Sequence, residues 1–144
     1  MDCESVMLVG GHWQQIGYQA TDPLTDIRGA GMLGCLHMLD FVSRLPKTAK
    51  FVHAYSRRPE CEFPLAVKMF EFTSITLRLF KQGKLTALCN RMRNCIDAVS
   101  QTMIDLFLKF FEIYLKEKAN ILTLQVCAKQ VENSAQSGKV QRMH

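Results

Sequence analysis

The stretch Arg91–Lys118, RMRNCIDAVSQTMIDLFLKFFEIYLKEK, decides the fold class. Ile96, Val99, Met103, Leu106, Phe110 and Ile113 recur at steps of three and four, the spacing that places side chains on one face of an α-helix. Phe107, Phe111 and Tyr114 widen that face. The spacing predicts one helix from about Arg91 to Lys118. An aromatic face this long could dock an external helix, but cover by helices of the same chain is the simpler solution.

Two other segments can supply that cover. Leu65, Met69, Phe72, Thr76 and Leu79 follow the same rhythm after Phe63-Pro64, where proline suits a helix start, and Gly83 falls at the position of a C-terminal cap, giving a helix of about 18 residues. GAGMLGCLHMLDFVSRL, residues 29–45, is apolar on nearly every face, which predicts a buried helix ending at Pro46. The basic stretch to Arg58 reads as a connector with room for a short helix through FVHAY. Past Ala119, ILTLQVCAKQV suits a further helix or an extended arm, and the terminal NSAQSGKVQRMH reads as frayed or disordered. The expected architecture is all-α: an irregular helical bundle with one buried apolar helix and two long amphipathic helices. Its organisation would be a lead over 1–11, a helical domain over 12–118 and a C-terminal extension over 119–144 with a partly disordered tail.

Composition bounds the function. With 144 residues, 48% hydrophobic and 22% charged, the chain can bury one core and is too apolar for a disordered polymer. The net charge of +5 is unevenly spread. Arg44, Lys47, Lys50, Arg57 and Arg58 lie between Asp40 and Glu60 with no acid among them, and Arg78, Lys81, Lys84, Arg91 and Arg93 lie between Glu71 and Asp97 in the same way. Such segments are ordinarily solvated; they also suit an acidic protein, a nucleotide-bound partner, or a peripheral contact with anionic lipid headgroups. Six cysteines, at 3, 35, 61, 89, 95 and 127, lack the two-residue gap of a zinc-gripping turn. The start MDCESVMLVGG is acidic with a short apolar run, unlike a signal peptide, and no apolar run approaches the roughly 18 residues of a membrane span. A reduced, cytoplasmic protein is the expectation.

The chemistry-bearing stretch is HWQQIGYQATDPLTDIRGAGMLG, residues 12–34. GAGMLG fits the glycine pattern of a dinucleotide-binding turn, but DPLTDIR before it is a turn rather than a strand, and no acid lies between Asp40 and Glu60 to hold a ribose. The glycines are better suited to the closely packed start of a buried helix. His12, His37, His53 and His144 lack metal-protease spacing, and neither a nucleophile elbow nor a phosphate-binding loop is present. Thr25 is a candidate N-cap for the following helix, which would put Arg28 in the first turn. A cation there opposes the helix dipole by about 0.3–1 kcal/mol, whereas Asp26 is favoured. Either pairing with Asp22 or Asp26 offsets the cost, or Arg28 has a function; residue physics alone favours neither.

The string W-x-x-x-G-Y-Q-x-x-x-P-x-T-D-x-R-G-x-G-x-L-G, formed by Trp13, Gly17, Tyr18, Gln19, Pro23, Thr25, Asp26, Arg28, Gly29, Gly31, Leu33 and Gly34, resembles the signature of the ELMO domain family. FPLAVKMFEFTSITLRLFKQGKL and the aromatic helix resemble its C-terminal half, so the likeness covers roughly Val6 to Lys118. The resemblance implies an all-α domain and, in members that keep the arginine, GTPase-activating activity toward small GTPases of the Arf and Arf-like group, with Arg28 as the catalytic finger. It implies a protein partner rather than nucleic acid, with GTP and magnesium carried by that partner and no cofactor or metal in this chain. Gln19, Asp22, Pro23, Thr25, Asp26, Gly29 and Gly31 would support the finger, while Trp13 and Tyr18 pack the turn on the bundle and Gly17, Leu33 and Gly34 complete the structural motif. The branch without the arginine consists of scaffolds, so a non-catalytic interaction module is the alternative. The family's domain extends upstream of the tryptophan, whereas twelve residues precede Trp13 here, which reads as an N-terminally shortened domain.

Overall fold

Asn94 sets where the longest helix begins. Its side-chain Oδ1 accepts from the amides of Ile96 (3.0 Å) and Asp97 (3.2 Å), and its Nδ2 donates to the Asp97 carboxylate at 2.7 Å. These contacts satisfy amides that have no partner within the helix. The helix therefore runs over Cys95–Lys116 instead of starting at Arg91. Arg93, with φ 55°, ends a separate short helix at Thr86–Met92. Ile96, the first residue of the predicted stripe, is 76% exposed as a result.

The structure is a computed structural model that describes residues 8–27 and 29–138. Among these the chain forms seven α-helices and no strand: α1 His12–Gln15, α2 Gly31–Arg44, α3 Pro46–Ser56, α4 Leu65–Lys81, α5 Thr86–Met92, α6 Cys95–Lys116 and α7 Leu124–Gln136. The fold is all-α. α6 is the central element, packed by α4, α7, α5 and α2, while α3 leans on α2. Its aromatic face meets Phe72 of α4 and Phe63 before it in tilted and edge-to-face pairs, including Phe72–Phe110 at 5.3 Å and Phe63–Tyr114 at 5.0 Å between ring centroids. The buried Tyr114 hydroxyl donates to the Cys61 carbonyl at 3.1 Å, so the core holds no stray phenol.

Three expectations change. The apolar helix α2 is not buried all round: Met32 is 65% exposed, Leu36 55%, Leu39 63% and Val42 48%, and only Gly34, His37 and Phe41 are buried. An apolar sequence says how much surface a helix could bury, not how many neighbours reach it, and α4, α6 and α3 leave this face of α2 uncovered. The connector to Arg58 holds the eleven-residue α3, opened by Pro46 at its first position. Beyond Ala119, Leu124, Cys127, Ala128, Val131 and Ala135 of α7 form a buried stripe in the same core as α6, so 119–138 is continuous with the bundle rather than an appendage to a domain ending at 118. Asn133–Gln136, expected to fray, belong to that helix. Arg78 of α4 pairs with Glu132 of α7 at 2.6 Å and, with Lys129, holds that carboxyl below its ordinary range despite partial burial.

Between α2 and α4, His37 is buried, with Nδ1 3.1 Å from Thr73 Oγ1 and no hydrogen-bond partner for Nε2 among the described residues. Burial lowers its pKa from 6.5, and the nearby Asp40 carboxylate opposes this only in part. The imidazole is thus neutral in the fold and takes a proton more readily once unfolded. Its contribution to stability is complete above pH 6.5 and is lost as pH falls below that value toward the folded one, at no more than about 1.4 kcal/mol per pH unit. Urea unfolding of wild type should weaken on acidification through this range more steeply than that of His37→Gln. Parallel declines would refute the assignment.

Candidate functional site

The segment from Gly10 to Ile27 is seated on the N-terminal half of α4 through Gly17 and Tyr18. Gly17 fixes the closest approach: its φ is +95°, and a Cβ there would lie 2.5 Å from the Leu65 amide nitrogen and 2.7 Å from that of Ala66. A side chain at this point is strained by the backbone angle and obstructed by immovable main chain. Next to it the rings run in series, Trp13 to Tyr18 at 5.4 Å and Tyr18 to Phe70 at 5.5 Å, both edge-to-face. Trp13 Nε1 donates to the Leu8 carbonyl at 3.1 Å. Tyr18 lies 3.8 Å from Cys35 Sγ, and burial, then that thiol, raises its phenol pKa well above the ordinary value. Tyr18, Ala30, Ala66 and Phe70 make a second small core.

The loop between Tyr18 and Ile27 is tied by its acids. The Asp26 carboxylate accepts from the Gln19 amide at 2.6 Å and more weakly from that of Ala20 at 3.4 Å. Asp22 Oδ1 accepts from the Leu24 amide at 2.9 Å and caps a 3₁₀ turn over Pro23–Thr25, with proline at its first position. Thr25 Oγ1 donates to the Asp22 carbonyl at 2.8 Å and closes that turn. Thr25 is therefore not the N-cap of α2, which starts at Gly31 behind Ala30. The turn intervenes because proline and the Asx contact of Asp22 stabilise three residues in tighter geometry. A first turn counted from Thr25 does not occur. Arg28 itself lies outside the described residues.

Around position 28 the backbone takes up glycine-specific angles, φ 88° at Gly29 and 60° at Gly31, with no atom closer than 4.0 Å to a Cβ built at either. Their role is conformational rather than close packing. Gly34 is the packing glycine: its Cβ would sit 2.5 Å from Phe70 Cδ1. Leu33 is half-buried. The structure thus brings together Trp13, Gly17, Tyr18, Gln19 and Asp26, with Gln19 taking part through its amide and carbonyl, the latter accepting from Gln14 Nε2 at 3.2 Å. The sequence reading missed Ala66 and Phe70, which carry the assembly from the second buried face of α4. It also missed His53 of α3, whose Nε2 lies 2.8 Å from the Gln15 carbonyl.

Removing the Asp26 carboxylate tests the loop. Asp26→Ala should speed hydrogen exchange at the Gln19 amide, because local opening of the loop loses a charge-assisted hydrogen bond, while the unfolding of the bundle changes little. Unchanged exchange at Gln19 would show that the loop is held by other means.

No group of three or more metal-ligating side chains occurs among the described residues, and none of their helices is long and apolar enough to cross a membrane. Comparison with known proteins gives the segment its context. The model of the ELMO/CED-12 family matches residues 3–127. ELMO domain-containing protein 3 of Bos taurus is 32% identical over 130 residues, covering 89% of this chain and 34% of its own length. The Homo sapiens protein of that name is 29% identical over 127 residues, covering 87% and 33%. ELMO domain-containing protein 2 of Homo sapiens is 29% identical over 77 residues, covering 54% and 26%. The chain spans about a third of the length of the first two relatives. No solved structure matches it.

Proposed function

Because the chain belongs to the ELMO/CED-12 family, we propose that it is a regulator of small-GTPase signalling that activates GTP hydrolysis by a partner of the Arf or Arf-like group, supplying Arg28 in trans. The observation carrying this reading is the complete sequence motif from Trp13 to Gly34, of which the part from Tyr18 to Asp26 is tied by the Asp26 carboxylate and seated on Phe70 through Tyr18. During hydrolysis negative charge accumulates on the transferred phosphoryl group, and the GTPase's own lysine and magnesium neutralise only part of it. A guanidinium inserted from outside brings a planar fork of donors that stays charged at every relevant pH. Gly29, exposed and in the left-handed region, lets the chain turn directly beside that residue without a side chain in the way. In this reading the chain is not itself an enzyme. GTP and magnesium belong to the partner, and the place of action is the cytoplasm.

The exposed apolar face of α2 also favours a second reading, a non-catalytic module that binds a GTPase complex. Single-turnover hydrolysis by GTP-loaded small GTPases separates the two. Activation by wild type that is lost in Arg28→Ala supports the first. Binding that survives Arg28→Ala, with no rate effect from either protein, supports the second.

A further inference from the structure

We propose that the outward face of α2, formed by Met32, Leu36, Leu39 and Val42, with the cleft beside Val42, is the seat of the GTPase and sets affinity separately from the finger; this rests on the activator reading above. The four side chains recur on one side of the helix and are each about half or more exposed. The cleft, about 290 Å³, opens between α2 and α3 over an almost wholly apolar floor that includes Met38, Phe41, Leu65 and Met69, with Ile16 and Lys50 at its rim. It has room for one large apolar side chain.

Chain order connects this face to Arg28. A stable interface buries about 800 Å² on each partner, a disc of roughly 16 Å radius. The face from Met32 to Val42 is about 15 Å long at 1.5 Å per residue and begins four positions after Arg28. An arginine reaching another protein's nucleotide therefore draws much of α2 into contact. Charge narrows the occupant further. Lys47 and Lys50 are exposed at the α3 end, and Asp40 is engaged by Arg44 at 2.7 Å and by the Ser100 hydroxyl. The matching surface is apolar with acidic side chains at one end.

The test titrates this chain against a GTP-loaded GTPase that wild type activates. Leu36→Asp and Leu39→Asp alter exposed positions, so helicity and melting should stay near wild type. Their half-saturating concentration should rise about tenfold or more while the plateau rate is kept. Arg28→Ala should do the reverse, losing the plateau rate with similar half-saturation. Lys50→Glu supplies an independent variant, expected to weaken binding several-fold with the difference shrinking at high salt. Unchanged half-saturation in all three surface variants overturns the proposal.

If wild type activates nothing, the activator reading fails and direct binding of the GTP-loaded GTPases decides the surface. Binding by wild type that Leu39→Asp abolishes supports the seat, whereas equal binding, or none by wild type, overturns it. Wild-type self-association in sedimentation velocity, or co-sedimentation with phosphatidylcholine–phosphatidylserine vesicles, overturns the assigned occupant where Leu39→Asp removes either one and leaves GTPase binding intact.

Discussion

Arg28→Ala is expected to slow activated GTP hydrolysis by about 10³- to 10⁵-fold, the range over which an arginine finger acts. At 1.36 kcal/mol per decade this is roughly 4–7 kcal/mol of transition-state stabilisation. Arg28→Lys should recover little of it. An ammonium group is a point charge on a flexible stem, and it cannot donate two parallel hydrogen bonds to the phosphoryl oxygens and the leaving oxygen. The measurement is single-turnover hydrolysis with the activator in excess, so that the plateau reports chemistry rather than encounter. Equal plateaus for wild type, Arg28→Lys and Arg28→Ala would remove the catalytic role. Urea unfolding of both variants beside wild type separates a loss of chemistry from a loss of fold.

The second large effect is structural. Phe110→Ala should destabilise the fold by about 3–5 kcal/mol, lowering the melting temperature by roughly 10–20 °C. Phe110 is fully buried, and its ring meets those of Phe72, Phe63, Phe107 and Tyr114 at 5.3–5.9 Å. Truncation loses the transfer energy of the ring, opens a cavity among elements that cannot all move inward, and removes four aromatic pairings. Phe51→Ala is the internal control: Phe51 also touches an aromatic neighbour, Phe111 at 5.9 Å, but is half-exposed and should cost less than half as much. Urea unfolding of both variants measures the difference. Equal losses would mean that α6 is less central than its burial suggests.

Periodicity made the framework legible. The stripes of α4 and α6 identified the core because each helix buries a face that repeats at three and four residues, and Leu65–Lys81 falls almost where the spacing placed it. Start points were less legible. Asn94 reads as an ordinary residue inside a helical rhythm until its carbonyl is seen to cap Ile96 and Asp97. The apolar sequence of α2 misled for a physical reason. Its buried line passes through Gly34, His37 and Phe41, of which two are not residues a hydrophobic scale selects, while the conspicuous Met32, Leu36 and Leu39 face outward.

At the candidate site the residue types were legible and their contacts were not. Tyr18 and Phe70 are 52 positions apart, and no local spacing joins them. Phe70 belongs to a second buried face of α4, with Ala66 and Thr73, that the dominant stripe through Met69 and Phe72 conceals. Gln19 and Asp26 could be nominated as a supporting pair, but that the contact runs through the backbone amide of one and the carboxylate of the other depends on loop geometry.

The two hydrophobic clusters have α4 in common, one on each side of it. The larger unites α6, α7 and the far side of α4; the smaller, four buried residues, seats the motif loop through Tyr18 and Ala30. So small a cluster should open at lower free energy than the bundle, and faster hydrogen exchange at the Gln19 amide than along α6 is the expected sign of it. On heating, fluorescence of Trp13, which packs against Tyr18, should then change before the helical ellipticity does.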